Sequence, residues 1–231
     1  MRNLNVFAAS VISGGEYDHI KIYGSAHSNE SIRAKSIKIY GSSHFADDVY
    51  GDEINIHGST RFEGKVYGKS LHIKGATSFL DEVKAEDLII YGAAKFEGNE
   101  TQSKLIKIYG AVETKSLKAT ELNIKGAIKC DGLIQSNKIE IELNIKHDQY
   151  INQMNAKDII IKRDKTILKK IKGLIIANAI EGDHIYLENV KAKIVKGNNV
   201  EIGPNCEIEK VEYSENIKVD KKSIVKEQIQ V

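Results

Sequence analysis

Three successive stretches of equal length decide the fold: IKIYGSSHFADDVYGDE (37–53), INIHGSTRFEGKVYGKS (54–70) and LHIKGATSFLDEVKAED (71–87). Each begins with an aliphatic residue two places before an isoleucine, and the fifth residue of each is glycine. The glycines of this phrase recur along the chain at Gly24, Gly41, Gly58, Gly75, Gly92, Gly110 and Gly126. A fixed period sustained over roughly 100 residues is typical of stacked repeats rather than of a globular core.

Phenylalanine returns at the same spacing. We predict that this column is a ladder of stacked rings in the core: Phe45, Phe62, Phe79 and Phe96. A helix turns by about 100° per residue, so steps of this length would scatter the rings around its axis. Apolar residues alternate within each repeat, as in Ile54-Asn55-Ile56, and this two-residue period predicts strands.

The length of the repeat selects the architecture. Helical repeats need about 33 residues or more, and leucine-rich repeats about 20 to 29. A shorter repeat fits one coil of three short strands. The sequence therefore predicts an all-β fold, a single-stranded parallel β-helix (solenoid) with about 17 residues per coil, and right-handed because parallel crossovers usually are. We expect the glycines at corners that need a positive φ or a close approach of backbones.

The regularity changes along the chain. We expect regular coils over residues 1–143, irregular coils with a basic amphipathic insertion over 144–183, and C-terminal coils with a tail over 184–231, in one continuous elongated domain. The repeat extends to Leu4, so we expect almost no N-terminal tail. The basic segment is Lys165–Ile176, where lysines surround apolar residues at helical spacing. It is a candidate membrane-binding segment, or a loop that packs its apolar side on the coils.

Composition argues against several classes of protein. The 34 basic and 32 acidic residues leave a net charge of +2, which gives no reason to expect nucleic acid as a partner. The sequence has neither an apolar run near the roughly 20 residues of a membrane span nor a signal-peptide pattern. Its two cysteines, Cys130 and Cys206, fit a reduced protein. We therefore expect it in the cytoplasm, near the membrane if envelope-associated partners hold it there.

No pattern of residues predicts a catalytic, cofactor or metal site. His27 and His44 fall in one column, but Arg61, Ser78 and Lys95 continue that column, which is typical of a solvated face rather than of a closed metal site. Acidic residues are scattered over different columns, and the sequence has no glycine-rich phosphate loop and no Cys-x-x-Cys motif. We expect a protein that is not an enzyme and needs no cofactor.

The Ile-x-Ile-Tyr-Gly phrasing of residues 4–142 resembles the bactofilins, which are bacterial polymer-forming cytoskeletal proteins. A more specific resemblance, to the longer bactofilin-like proteins of Firmicutes, lies in EGDHIYLEN (181–189), KAKIVKG (191–197) and IGPNCEI (202–208). The resemblance implies nucleotide-independent filaments in which β-helices join end to end. It also implies partners at the envelope. We expect no contact with the membrane itself, unless that contact is made indirectly through partners or through Lys165–Ile176.

Two surfaces are candidates for contact with a second copy. Solenoid ends expose strand edges, and the candidate polymer interface consists of apolar residues there: Leu4, Val6, Phe7, Ile217 and Val219. The candidate lateral surface is a column of outward tyrosines, which could instead cover the neighbouring glycines: Tyr23, Tyr40, Tyr91 and Tyr109. The alternatives are a non-polymerising β-helix binding module and a left-handed β-helix acyltransferase, whose hexapeptide repeat is echoed once at Ile202–Cys206.

Overall fold

The computed structural model describes residues 2–144, 146–164 and 173–231 of the 231-residue chain. Within these ranges the regular structure consists of strands, with no helix. The strands pair in parallel and stack as a β-solenoid whose paired residues are about 17 positions apart. The predicted all-β parallel solenoid is confirmed, and its right-handed sense stays a prediction. The chain forms two compact units, Met1–Lys115 and Ser116–Val231.

The first unit repeats a long strand followed by a short one in each coil. Long strands of neighbouring coils pair in register, so that Ile37 lies beside Ile54 and Ile54 beside Leu71. The strands are β1 (Asn3–Val6), β2 (Ser10–Val11), β3 (Gly15–Ile22), β4 (Ser25–Ser28), β5 (Ile32–Ile39), β6 (Ser42–Phe45), β7 (Val49–Ile56), β8 (Ser59–Phe62), β9 (Val66–Ile73), β10 (Ala76–Phe79), β11 (Val83–Ile90), β12 (Ala93–Phe96), β13 (Thr101–Ile108) and β14 (Ala111–Thr114).

Glycine is required at one corner of each regular coil because the backbones approach too closely for a side chain. The N–H groups of Tyr40 and Gly41 both donate to the carbonyl of Ile22, at 2.7 and 3.1 Å. A Cβ atom at Gly41 would collide with the carbonyl oxygen of Gly24. Among the described glycines, positive φ occurs at Gly15 alone. Close approach, rather than a left-handed backbone, therefore explains the repeat glycines.

The phenylalanine column lies in the core as a continuous stack. Successive ring centroids are 5.1, 5.1 and 4.9 Å apart, with planes within 9° of parallel. Phe45, Phe62, Phe79 and Phe96 are each exposed by no more than 2%. Full burial of such a side chain is worth roughly 1.5 to 3 kcal/mol, so the ladder is a large part of the core of the first unit.

The second unit has longer strands and coils of unequal length. Ile139 lies beside Ile159, Ile159 beside Ile185 and Ile185 beside Val200, so the step between partners differs from one coil to the next. The strands are β15 (Leu117–Ile124), β16 (Ala127–Leu143), β17 (Gln149–Arg163), β18 (Ile175–Leu187), β19 (Val190–Ile202), β20 (Glu207–Val219) and β21 (Ile224–Gln230). Thus β17 and the first part of β18 occupy the range 144–183, where the sequence predicts irregular coils.

Asparagine takes over the corner role in the second unit. Asn189 and Asn205 have φ values of 55° and 61°, the left-handed conformation that asparagine tolerates better than most residues. The Asn205 side-chain amide donates to Oδ1 of Asn189 at 3.1 Å, which links the two corners. These corners therefore depend on backbone conformation and side-chain hydrogen bonds.

Candidate assembly surfaces

The first coil presents its predicted interface residues to very different degrees. Strand β1 pairs with β3 in the predicted register, with Leu4 beside Ile20 and Val6 beside Ile22. Val6 is buried at 3% exposure, and Leu4 is half-buried. Phe7 is 74% exposed. Of the three, Phe7 is therefore the side chain available for a contact.

Residues of the first coil hold Tyr17, which lies near the start of β3. Tyr17 is buried, its hydroxyl donates to the carbonyl of Ser13 at 2.7 Å, and the guanidinium of Arg2 lies 4.2 Å from its ring centroid. Sequence reasoning missed Val11, which is 76% exposed and lies beside His27 of the next coil. An apolar residue in a column of polar ones was the signal that could have identified it.

The last coil exposes apolar side chains that are buried one coil earlier. Val200 and Ile202 are exposed by 3% and 0%, whereas their partners Ile217 and Val219 are half-buried. Strand β21 pairs with the first half of β20, and no described strand pairs with the far edge of the second half. Ile224, on β21, is 63% exposed. Both predicted interface residues therefore lie beside an open strand edge.

The outward aromatic residues at the start of the chain stack on one another. Tyr23 lies between Phe7 and Tyr40, with centroids 5.2 and 5.1 Å away and planes within 5° of parallel. Tyr40 continues to His57 at 5.0 Å. Both faces of Tyr23 are thus covered by rings, which leaves little aromatic face for a sugar to stack on. Phe7 ends the stack and is the most exposed ring in it.

A second pair of tyrosines repeats this arrangement after an interruption at Lys74. The centroids of Tyr91 and Tyr109 are 5.0 Å apart and their planes differ by 8°. The tyrosines predicted as a lateral surface, Tyr23, Tyr40, Tyr91 and Tyr109, are 43% to 52% exposed. The structure therefore brings them together in two stacks, which present about half of each side chain to solvent.

A column of charged side chains with alternating sign runs along the first unit. Arg2 precedes it beside Asp18, and from Asp18 onward it has one residue in each of six successive coils. We call this set the charged column: Asp18, Lys35, Asp52, Lys69, Glu86 and Lys104. Each acid pairs with the lysine of the next coil, and the N···O distances are 2.7, 2.9 and 3.3 Å. Sequence reasoning missed this column, whose signal is the sign of the charge when consecutive repeats are aligned.

Ion pairing in the charged column shifts the pKa values of Asp18 and Lys69 in the directions that favour their charged forms. The hydrogen bond from Lys35 holds the pKa of Asp18 below its ordinary value. The hydrogen bond to Asp52 raises the pKa of Lys69. These groups are open to solvent, so each pair adds little to stability. The column remains a set of accessible charges at fixed spacing.

A shallow groove of about 570 Å³ lies beside the charged column. Tyr50 and Tyr67 form part of its wall, with centroids 5.2 Å apart and planes within 10° of parallel. The guanidinium of Arg33 lies 4.4 Å from the ring centroid of Tyr50. Gly51 and Gly68 line the same groove.

The histidine column does not gather a metal-binding set. The His27 and His44 rings are 4.8 Å apart and tilted by 54°, and Nε2 of His27 lies 2.6 Å from Oδ1 of Asn29. Hydrogen bonds from Arg61 and His44 lower the pKa of Glu63. Across the ranges that the structure describes, no three His, Cys, Asp or Glu side chains are placed to hold a metal ion.

The second unit contains a buried carboxylate at a corner. Glu188 is 6% exposed and accepts hydrogen bonds from the Tyr186 hydroxyl at 2.6 Å and the Arg163 backbone N–H at 2.9 Å. The bond to Glu188, with burial, raises the pKa of Tyr186 to about 12. Burial raises the pKa of Cys206 to about 11. Through its two hydrogen bonds, Glu188 links its own coil to the coil of Arg163.

Two further sequence predictions fall near this corner. Of the basic segment Lys165–Ile176, residues 165–172 lie outside the described residues, while Ile175 is buried and Ile176 half-buried in β18. The hexapeptide-like stretch Ile202–Cys206 ends β19 and forms the turn before β20. None of the described segments is a helix long and apolar enough to cross a membrane.

Two curated proteins of Bacillus subtilis are similar to part of the chain. The uncharacterized protein YhbF is 39% identical over 97 residues, which cover 42% of this chain and 40% of the relative. The uncharacterized protein YhbE is 37% identical over 90 residues, which cover 37% of this chain and 38% of the relative. The matched stretches therefore span about two fifths of these relatives. No protein-family profile and no solved structure matches the sequence.

Proposed function

We propose that the protein is a bactofilin-like structural protein of a bacterial cell, which assembles end to end into filaments without nucleotide and scaffolds other proteins. The observation that carries the proposal is Phe7, a large aromatic side chain that is 74% exposed at the end of a stack of rings. An aromatic stack with one open face can continue onto a ring of a second copy. The resemblance of the repeats to bactofilins supports the same assembly.

The strand edges at both ends support the proposal. Strand β1 pairs with β3, and no other described strand pairs with it. At the other end, Ile217 and Val219 are half-buried beside the open edge of β20, and Ile224 is 63% exposed. Open edges of parallel coils offer unpaired N–H and C=O groups, which another chain can satisfy. A joint of this kind continues the solenoid without a nucleotide.

Exposed apolar side chains supply the driving force for such a joint. Burying one large apolar side chain is worth roughly 1.5 to 3 kcal/mol. Val11 is 76% exposed on the same coil as Phe7, so a joint at this end buries more than one such group on each side. The proposal assigns no catalytic step. It places the protein in the cytoplasm, because both cysteines are buried thiols in the structure.

Negative-stain electron microscopy of the purified protein without nucleotide tests the proposal. We expect filaments from the unchanged chain and short particles from Phe7→Arg, because a charge at the joint must be desolvated. Tyr91→Arg is the matched control, since it places the same charge on an exposed aromatic position away from the ends. We expect it to form filaments.

Each other outcome has a definite reading. Filaments in both variants keep the polymer and move the essential contact away from Phe7. Single short particles from the unchanged chain contradict the proposal. That result favours the alternative of a binding module that presents its grooves and tyrosine stacks to a different partner.

A further inference from the structure

We propose that the charged column is a lateral docking surface for a second copy of this chain, oriented antiparallel to the first. This surface runs along the coils of the first unit, whereas the joint proposed above lies at the ends of the chain. The inference therefore does not depend on the end-to-end joint. It rests on the sign, spacing and exposure of six side chains: Asp18, Lys35, Asp52, Lys69, Glu86 and Lys104.

Symmetry makes an alternating column of six charges complementary to itself. When two copies face each other about a two-fold axis perpendicular to the column, the order of the column is reversed in the second copy. The first residue of one copy then faces the last residue of the other, the second faces the fifth, and the third faces the fourth. Asp18 then faces Lys104, Lys35 faces Glu86, and Asp52 faces Lys69. All six contacts join opposite charges.

The parallel arrangement in register has the reverse outcome. Each residue of the charged column would then face its own copy, and all six contacts would join like charges. Like charges directly opposite each other are destabilising. The column therefore disfavours the parallel contact in register, which is the role that charge complementarity commonly has at interfaces. A parallel contact shifted by one coil would again join opposite charges, and the charge-swap variants below separate it from the antiparallel contact.

Five of the six members of the charged column remain well exposed despite their ion pairs within the chain, and Asp18 is 21% exposed at its side chain. Lys35, Lys69 and Lys104 are 57%, 69% and 72% exposed at their side chains. Asp52 and Glu86 are 54% and 55% exposed. A lysine ammonium has three donors and a carboxylate several acceptor positions, so one internal partner leaves others free. The internal pairs also hold the side chains in place before a second copy arrives.

The spacing of the column lets all contacts form together. The charges repeat once per coil, and parallel strands of successive coils are about 4.8 Å apart. Two copies of one column share this repeat, so aligning one pair aligns the others. Single exposed ion pairs are weak. The column therefore sets the direction and register of the contact, and repeated contacts along an assembly add to its strength.

A second column, which contains Arg33, Tyr50, Tyr67 and Lys84, lies next to the charged column. It adds one favourable and one unfavourable kind of contact between the two copies. The same two-fold axis brings Tyr50 of one copy opposite Tyr67 of the other, where their rings form part of the groove wall. It also brings Arg33 toward Lys84. Lys84 is paired with Glu82 of its own chain, which weakens the repulsion in the two symmetric Arg33–Lys84 contacts.

Charge-swap variants in a Phe7→Arg chain test the inference without end-to-end joints. The first outer swap, Asp18→Lys with Lys35→Asp, keeps the net charge and the internal pair. It gives positions 18 and 104 like charges, and likewise positions 35 and 86, so four of the six contacts become repulsive. The central swap, Asp52→Lys with Lys69→Asp, is the matched control, because positions 52 and 69 face each other and every contact stays attractive.

The second outer swap, Glu86→Lys with Lys104→Glu, completes the design. Alone, it makes the same four contacts repulsive. Mixed with the first outer swap, it restores opposite charges at all six contacts between the two different chains. Sedimentation equilibrium at low salt measures the association constant of each variant and of the mixture.

We expect the association constant to fall at least about tenfold in each outer swap, because reversed contacts replace attraction by repulsion. We expect it to be unchanged in the central swap and restored in the mixture. Added salt should weaken every association, since these charges are solvent-exposed. Circular dichroism checks that the variants keep the strand content of the parent chain, and the mixture reports on the outer swaps even if one variant is less stable.

Three outcomes would overturn the inference. The first is a parent chain that shows no salt-sensitive association up to about 1 mM. The second is a central swap that weakens association as much as an outer swap, which indicates a parallel contact shifted by one coil. The third is an outer-swap mixture that associates no better than its components.

Discussion

The two units of the molecule build the same kind of coil with different corners. In the first unit, the corner backbones approach so closely that a Cβ at Gly58 would collide with the carbonyl oxygen of Gly41. In the second, Asn189 and Asn205 adopt left-handed conformations and their side chains hydrogen-bond to each other. The inward isoleucines are kept in both. The same core pattern is thus compatible with two kinds of corner.

The two units also differ in coil length. The step between partners stays nearly constant along the first unit, as from Ile37 to Ile54 and from Leu88 to Ile106. In the second unit the step is short from Ile185 to Val200 and much longer from Ile159 to Ile185. The longer step includes residues 165–172, which lie outside the described residues.

The largest expected effect is at the glycine corner of the first unit. Gly58→Ala should lower the free energy of unfolding by about 3 kcal/mol, because the added Cβ meets the backbone of the preceding coil, which cannot move aside. Gly68→Ala is the control. Its Cβ would be 3.1 Å from the Gly51 carbonyl oxygen, in a column that already holds alanine at positions 34 and 85.

Urea unfolding followed by circular dichroism measures both variants, and we expect Gly68→Ala to cost less than about 1 kcal/mol. Equal losses at the two positions would contradict the explanation by close approach. They would indicate instead that the glycines matter for their flexibility in the chain as a whole.

A middle-sized effect is expected at the buried carboxylate of the second unit. Glu188→Gln should cost about 2 kcal/mol, because a charged acceptor of two hydrogen bonds becomes a neutral one in a buried place. Asp48→Asn is the counterpart in the first unit, where Asp48 accepts bonds from the Tyr50 hydroxyl at 3.1 Å and the Lys65 N–H at 2.8 Å. Asp48 is less buried, so we expect a smaller loss in the same unfolding measurement.

The pH dependence of the second unit follows from Tyr186, whose pKa is raised from 10.0 to about 12. The pKa of Tyr186 is higher in the folded state than in the unfolded state. The stability contributed by the protonated Tyr186 hydroxyl is therefore present below pH 10 and is lost as the pH rises toward 12. Ultraviolet difference titration against Tyr186→Phe should show this phenol titrating near 12. Glu188→Gln should move the midpoint toward 10.0, and an unmoved midpoint would show that Glu188 is not the cause.

The smallest expected effect is a gain in stability inside the first unit. The Thr60 hydroxyl is buried and has no hydrogen-bond partner among the described residues, and Val112 occupies the same column. Thr60→Val should therefore raise the free energy of unfolding by about 1 kcal/mol. Ser103→Ala should lower it by about as much, because the Ser103 hydroxyl donates to the Glu86 and Leu105 carbonyls at 2.7 and 2.9 Å. Thermal unfolding checks both variants: the midpoint temperature should rise for Thr60→Val and fall for Ser103→Ala, and a change in the same direction for both would contradict the prediction.

Much of the strand register and side-chain stacking of the first unit could be predicted from the sequence, because its residues repeat at a fixed period. The pairing of Leu4 with Ile20 and the stack of Phe7 on Tyr23 both follow from aligning one repeat with the next. The same reasoning missed the exposed Val11 and the buried Tyr17, because each departs from the residue type of its column. It also missed Glu188, which joins Tyr186 on its own coil to Arg163, a residue distant in the chain.

The sequence by itself determined the strands, their register and the inward columns, because a two-residue alternation and a fixed repeat leave one way to stack apolar side chains. Only the tertiary structure decided which side chains are exposed and which of them lie side by side on the surface. Whether Phe7 is open while Val6 is buried depends on which neighbours cover each side chain. The charged column exists because coils bring Asp52 beside Lys69, residues that are distant in the chain and adjacent on the solenoid.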